Sequence, residues 1–132
     1  MNLIKSKIAV IGLGYVGLPL AIEFAKKKIV VGFDVNLKRV DELKNNFDST
    51  LEISKKKLKN SKNLTFTHIL SDIKNCKIFI IAVPTPINLK KKPDLTNLKK
   101  SSTSIGKIIK KGDLIIYEST VYPGVTEEFC VP

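Results

Sequence analysis

Residues 12–17 read Gly12-Leu13-Gly14-Tyr15-Val16-Gly17, directly after the apolar run Ile8-Ala9-Val10-Ile11. A helix-like stretch follows from Val16 to Lys28, and a second apolar run, Ile29-Val30-Val31-Gly32-Phe33, ends at Asp34. Glycines at this spacing are common by chance. Their placement between a strand-like and a helix-like segment is what constrains the fold. In such a unit the first glycine permits a tight turn, and the second lets backbone approach an anion. The third lets the helix pack close to the sheet, so that its N-terminal amides face the anion. An acid about 20 residues beyond the central glycine completes the fingerprint of a dinucleotide site. A glycine turn in some other α/β protein is the competing reading, and Asp34 counts against it.

Composition narrows the class. A chain of 132 residues with 43% hydrophobic content suits one domain, residues 1–132, with ample material for a core. No apolar run approaches the roughly 18 residues needed to span a membrane. The N-terminus, Met1-Asn2-Leu3-Ile4-Lys5, lacks the long apolar region of a signal peptide. A cytoplasmic location without a membrane partner is therefore expected. Cys76 and Cys130 form no CxxC and fit no metal spacing, so free thiols and no metal site are expected.

The net charge of +11 raises nucleic acid as a partner. Nearly all of it is lysine, in short clusters such as Lys26-Lys28, Lys55-Lys57 and Lys90-Lys92, and Arg39 is the only arginine. These clusters are not interleaved with aromatics or arginines, as base-reading surfaces usually are. Solvated lysine faces, with loose attraction to polyanions at low salt, are the simpler account. No specific nucleic-acid partner is expected.

Along the chain, strands alternate with helices. Strands are predicted at Lys7–Ile11, Ile29–Asp34, Leu64–Thr67, Lys77–Val83 and Leu114–Tyr117. The first helix is predicted from Tyr15 to Lys28, with Val16, Leu20 and Phe24 beside Ala21 and Ala25 on its apolar face. Asn36 is placed as the cap of a second helix running to Asn46, with Leu37, Val40, Leu43 and Phe47 on one face. A short helix is expected over Ile53–Leu58, and Ser71 is placed as the cap of a single turn. A further helix starts near Pro93-Asp94 and carries Leu95, Leu98, Ile105, Ile108 and Ile109, and another opens over Pro123–Phe129. This alternation implies an α/β, Rossmann-type doubly wound parallel sheet with strand order 3-2-1-4-5.

Ligands of such sheets bind beyond the carboxyl ends of the strands, where strand order reverses. Three segments meet that condition: Gly12–Gly17, Pro84-Thr85-Pro86 and Glu118-Ser119-Thr120. The prolines around Thr85 remove two donors and force an extended path, which frees its hydroxyl for a ligand or simply stiffens the loop. Ser119 and Thr120 suit a ligand role or a helix cap before Pro123. Asp34 can accept from both adenosine ribose hydroxyls, and its charge repels a 2′-phosphate, which favours NAD over NADP. Arg39 pulls the other way, since an arginine nearby can accommodate that phosphate. It can equally stack beside the adenine or pair with Asp34. His68 has no evident partner, and the acids before Cys130 would raise a thiol pKa, so neither is a catalytic candidate.

Taken together, the motifs resemble a known family. Ile11-Gly12-Leu13-Gly14-Tyr15-Val16-Gly17-Leu18-Pro19, Gly32-Phe33-Asp34-Val35-Asn36 with Arg39, Val83-Pro84-Thr85-Pro86 and Glu118-Ser119-Thr120-Val121-Tyr122-Pro123-Gly124 look like the N-terminal domain of the UDP-glucose/GDP-mannose dehydrogenases. Pro84-Thr85-Pro86-Ile87-Asn88 and Tyr117–Glu128 look closest to the branch acting on UDP-N-acetylhexosamines. The resemblance implies oxidation of a sugar C6 alcohol to a carboxylate with two NAD, through an enzyme thiohemiacetal and thioester. It implies that Tyr15 and Val16 meet the pyrophosphate, Asp34 and Arg39 the adenosine end, and Thr85 the nicotinamide side. Thr120 then stands beside the reacting centre, assisting with NAD and a water. Members of that family are much longer, and their nucleophilic cysteine and most UDP-sugar contacts lie beyond residue 132. Cys130 does not match their cysteine motif. The chain is thus expected to be a cofactor-binding portion, inactive alone, of an enzyme that acts on a UDP-sugar as a homo-oligomer. UDP-glucose or GDP-mannose dehydrogenases, or an NAD-binding module without catalysis, are the alternatives.

Overall fold

The computed structural model describes residues 6–83 and 96–118. Within them the chain runs β1 (Ile8–Ile11), α1 (Gly17–Ala25), β2 (Val30–Phe33), α2 (Leu37–Lys44) and α3 (Lys55–Asn60). It continues through β3 (Leu64–Thr67), a 3-10 turn (Leu70–Ile73), β4 (Ile78–Ile81), α4 (Thr96–Gly106) and β5 (Leu114–Tyr117). The strands form one sheet in the order β3-β2-β1-β4-β5, every neighbouring pair parallel, as the sequence predicts.

Central β1 is buried along its whole length, and its side chains alternate between two cores. Ile8 and Val10 join Leu18, Ala21 and Ile22 of α1, Leu43 of α2 and Leu58 of α3 on one face. Ala9 and Ile11 join Ile73, Phe79, Leu98 and Ile105 on the other, under the 3-10 turn and α4. Covering both faces is what a purely parallel sheet requires.

Several boundaries differ from the sequence reading, each for a local reason. α1 begins at Gly17 rather than Tyr15 and ends at Ala25, because Lys26 and Lys27 turn back onto Glu23 and Phe24 carbonyls. Its buried stripe is Gly17, Leu18, Ala21, Ile22 and Ala25, while Val16 and Phe24 face outward. The approach of Gly17 to Gly12, in the turn after β1, sets the rotation of the helix, so positions four and eight residues on turn inward with it. α2 stops at Lys44, since Asn45 caps it and Asn46 takes φ 60°, which leaves Leu37 and Phe47 half-exposed. The Asn36 cap is as predicted, its side chain accepting from the Arg39 amide at 3.2 Å.

α3 starts two residues later than expected because Ser54 caps it, accepting from Lys57 N at 3.1 Å. Ile53 before the cap and Leu58 share one buried cluster, the arrangement of a hydrophobic staple. Ser71 lies inside the 3-10 turn rather than capping it. Instead Thr67 Oγ1 accepts from Ile69 N at 3.0 Å and donates to Asp72 Oδ2 at 2.5 Å. Ile108 and Ile109 fall beyond the end of α4 but pack on the same core as Leu98 and Ile105. The predicted start of that helix near Pro93 and the helix over Pro123–Phe129 lie outside the described residues.

Candidate functional site

Beyond the carboxyl ends of β1 and β2, beneath α4, lies a cleft of about 340 Å³. The turn after β1 forms its floor. Gly12 takes φ +95°, and a Cβ there would stand 2.9 Å from the Ala82 carbonyl oxygen, so only glycine fits. Its amide donates to Phe33 O at 2.8 Å, tying the turn to β2. At Gly17 a Cβ would come within 1.7 Å of the Gly12 carbonyl oxygen, which is how closely α1 approaches the turn. At Gly14 a Cβ would meet nothing within 4 Å. The three positions thus match the turn, open-approach and close-packing roles the fingerprint assigns them.

Leu13, between the first two glycines, is fully buried and its peptide is held from both sides. Its amide donates to Asp34 Oδ2 at 2.9 Å, and its carbonyl accepts from Arg39 Nε at 2.7 Å. Asp34 Oδ1 accepts from Asn36 N at 2.9 Å. Each carboxylate oxygen has two lone pairs, so Asp34 keeps acceptor capacity for a pair of hydroxyls. Asp34 lines the cleft with Val35 and Asn36.

Arg39 departs from the sequence reading in its partners. It does not pair with Asp34. Its Nη1 donates to Glu42 Oε1 at 2.6 Å and to Asp48 Oδ1 at 2.8 Å. The guanidinium is buried, and although Arg39 borders the cleft, its polar atoms turn inward to the protein. Burial works against the arginine charge, but Glu42 and Asp48 more than offset it and its pKa is raised. Burial likewise pushes the Asp48 carboxyl up. Hydrogen bonds from Thr50, Arg39 and the Ile53 and Thr50 amides overcome this and hold it at about 2. Asp48 also accepts from Glu52 N at 3.0 Å, so one buried carboxylate organises the chain from residue 48 to residue 53.

The structure therefore brings Gly12, Gly14, Asp34 and Arg39 to one cleft. Tyr15 and Val16 stand just outside it on the turn entering α1, with exposures of 68% and 52%. Their amides have no acceptor among the described residues, as suits a helix entrance that receives an anion. Thr85, Ser119 and Thr120 lie outside the described residues. His68 is exposed after β3. Cys76 is buried, and burial pushes its thiol up to about 11, so it is no nucleophile.

Sequence reasoning missed two groups. Asn97, Lys100, Ser101 and Ser104 of α4 form the opposite wall of the cleft. Their spacing of three, four and seven residues, beside buried Leu98 and Ile105, is a polar helical stripe that the sequence does display. Asp48 was also missed. Its one local signal is Thr50 two residues on, an Asx-turn pattern.

Residues 6–132 match the model of the UDP-glucose/GDP-mannose dehydrogenase family, NAD binding domain. The chain belongs to this family. A UDP-N-acetyl-D-glucosamine 6-dehydrogenase of Pseudomonas aeruginosa is 61% identical over 126 residues, covering 96% of this chain and 30% of that protein. Its Salmonella typhi counterpart is 58% identical with the same coverage. Among solved structures, a UDP-D-ManNAc dehydrogenase from Pyrococcus horikoshii superposes with a TM-score of 0.88 at 35% identity. It is matched over 93% of this chain and 30% of its own. A GDP-mannose dehydrogenase from Pseudomonas aeruginosa shares the fold at a TM-score of 0.88 and 24% identity. The chain thus spans about 30% of the length of the curated relatives it matches, and the part it matches is the family's NAD-binding domain.

Proposed function

We propose that this domain holds the NAD of a nucleotide-sugar 6-dehydrogenase that oxidises the C6 alcohol of a UDP-N-acetylhexosamine to a carboxylate. The observation that carries the cofactor reading is the Leu13 peptide held between Asp34 and Arg39 on the floor of an open cleft. The substrate reading rests on the identity of 58–61% to two UDP-N-acetyl-D-glucosamine 6-dehydrogenases. The open space at Gly14 and the remaining lone pairs of Asp34 fit a dinucleotide.

In this reading Gly12, Gly14, Tyr15, Val16 and Gly17 form the pyrophosphate cradle, and Asp34 accepts from the adenosine ribose. Arg39 acts from behind, fixing the cradle through Leu13. Thr85 approaches the nicotinamide side, Ser119 belongs to the cofactor-binding set, and Thr120 assists at the reacting centre; these three rest on their motifs. Bound NAD⁺ supplies the hydride acceptor. The cysteine nucleophile and most of the UDP-sugar contacts belong to the longer enzyme, which acts as a homo-oligomer.

A thermal-shift titration with NAD⁺, NADP⁺ and UDP-N-acetylglucosamine tests this. Ligand at about 100 times its Kd stabilises by roughly 2.7 kcal/mol, a shift of several degrees for a domain of this size. A shift with NAD⁺ and none with NADP⁺ is expected. No shift with NAD⁺ up to millimolar concentrations overturns the cofactor reading.

A further inference from the structure

Arg39 borders the cleft beside Asp34, Val35 and Asn36, where the adenosine end of the dinucleotide is placed above. An arginine near that position can admit a 2′-phosphate. Here each guanidinium nitrogen is either engaged or sealed. Nε donates to Leu13 O, and Nη1 donates to both Glu42 and Asp48. Nη2 has no hydrogen-bond partner among the described residues but is itself buried, so a ligand cannot reach it unless the side chain moves.

Charge points the same way as geometry. Two carboxylates face one guanidinium, so the Arg39–Glu42–Asp48 cluster carries a net negative charge behind Asp34. The cation that α4 adds to the cleft is Lys100, on the opposite wall. Glu42 and Asp48 are themselves anchored, by Ser49 Oγ at 2.8 Å and by the Thr50, Glu52 and Ile53 amides. The arrangement is therefore built, not incidental to one rotamer.

We propose that Glu42 and Asp48 determine cofactor choice by neutralising Arg39 and turning it toward Leu13, which denies a 2′-phosphate the arginine it would need. Neither residue lines the cleft; both are positioning residues that act through Arg39. The proposal rests on the dinucleotide reading given above and adds a second barrier to the repulsion from Asp34.

The test is isothermal titration calorimetry of the 132-residue chain with NAD⁺ and NADP⁺. The proteins are wild type, Glu42→Gln, Asp48→Asn, and Glu42→Gln combined with Arg39→Met. The readout is the ratio of the NADP⁺ Kd to the NAD⁺ Kd. Removing one carboxylate lets Arg39 swing toward a partly screened dianion, and the ratio falls by on the order of tenfold. Adding Arg39→Met restores it toward the wild-type value. A purely structural role weakens both nucleotides together, and an unmoved ratio in the folded variants overturns the proposal. A ratio that falls equally without the arginine overturns it too, since bare repulsion would then be the cause. Glu42→Gln decides the matter even where Asp48→Asn fails to fold, because the Glu42 side chain is 19% exposed and that of Asp48 is fully buried. If folded wild type binds neither nucleotide, the dinucleotide reading fails first and this proposal with it.

Discussion

Arg39 Nε donates to the carbonyl oxygen of Leu13 at 2.7 Å, which ties α2 to the glycine turn 26 residues earlier in the chain. The same guanidinium pairs with Asp48, whose side chain is fully buried. Removing the arginine therefore strands a buried charge as well as loosening the turn. Arg39→Ala is expected to lower stability by about 3 kcal/mol, the usual cost of breaking a buried pair from one side. Urea denaturation followed by circular dichroism measures this, and a loss below about 1 kcal/mol would mean the pair is solvated.

Gly14 and Gly17 separate binding from folding. Alanine at Gly17 would place a Cβ 1.7 Å from a backbone oxygen that cannot move away without breaking the turn. Gly17→Ala is expected to cost roughly 3 kcal/mol or more, in the range of severe overpacking. Alanine at Gly14 meets nothing within 4 Å, so Gly14→Ala should stay within about 0.5 kcal/mol of wild type. Its NAD⁺ affinity is nonetheless expected to fall, because the methyl group occupies the approach a pyrophosphate needs. Parallel melts and NAD⁺ titrations of the two variants check the contrast.

Asp34→Ala removes an acceptor that serves the amides of Leu13 and Asn36 as well as the ribose. Loss of hydrogen bonds to a charged group should raise the NAD⁺ Kd by roughly tenfold to a hundredfold, read by calorimetry. Equal affinity in the variant would remove Asp34 from the site.

Acid should act on this domain through Asp48. Its carboxyl sits at about 2 in the folded chain against an ordinary 3.8. A depressed acid stabilises the fold above its unfolded pKa, and that stability is lost as pH falls through the folded value. About 2 kcal/mol should therefore disappear between pH 4 and pH 2. Glu42, also lowered, shifts the loss in the same direction. Asp48→Asn should flatten this part of a stability-against-pH curve, and an unchanged slope would place the acid sensitivity elsewhere.

Cys76 offers a probe of opening. With its thiol raised to about 11 and its side chain buried, thiolate at pH 8 is on the order of one in a thousand. In a Cys130→Ser background, labelling by a disulfide reagent should be slow in the folded chain and rapid in denaturant. Fast labelling of native protein would show that the core beside β4 opens readily.

The strand order, the burial of β1 on both faces and the glycine turn are legible in the residues themselves. Ile8–Ile11 is apolar without alternation because it is buried on both faces, and Asn36 carries its capping chemistry in its own side chain. These are local properties, decided by backbone sterics and by which side chains water rejects. What lay beyond reach depended on contacts between segments far apart in sequence. The phase of α1 follows from the approach of Gly17 to Gly12, not from the hydrophobicity of Val16 and Phe24, and periodicity alone cannot choose between adjacent apolar stripes. The partners of Arg39 were open for the same reason. An arginine in a helix has acids within reach on several sides, and only the path of residues 45–48, turned by Asn46 at φ 60°, delivers Asp48 to it instead of Asp34. Local residue chemistry settles which residues can form a dinucleotide fold, and packing between distant segments selects the charge that each of them meets, because burial makes one pairing strong and excludes the others.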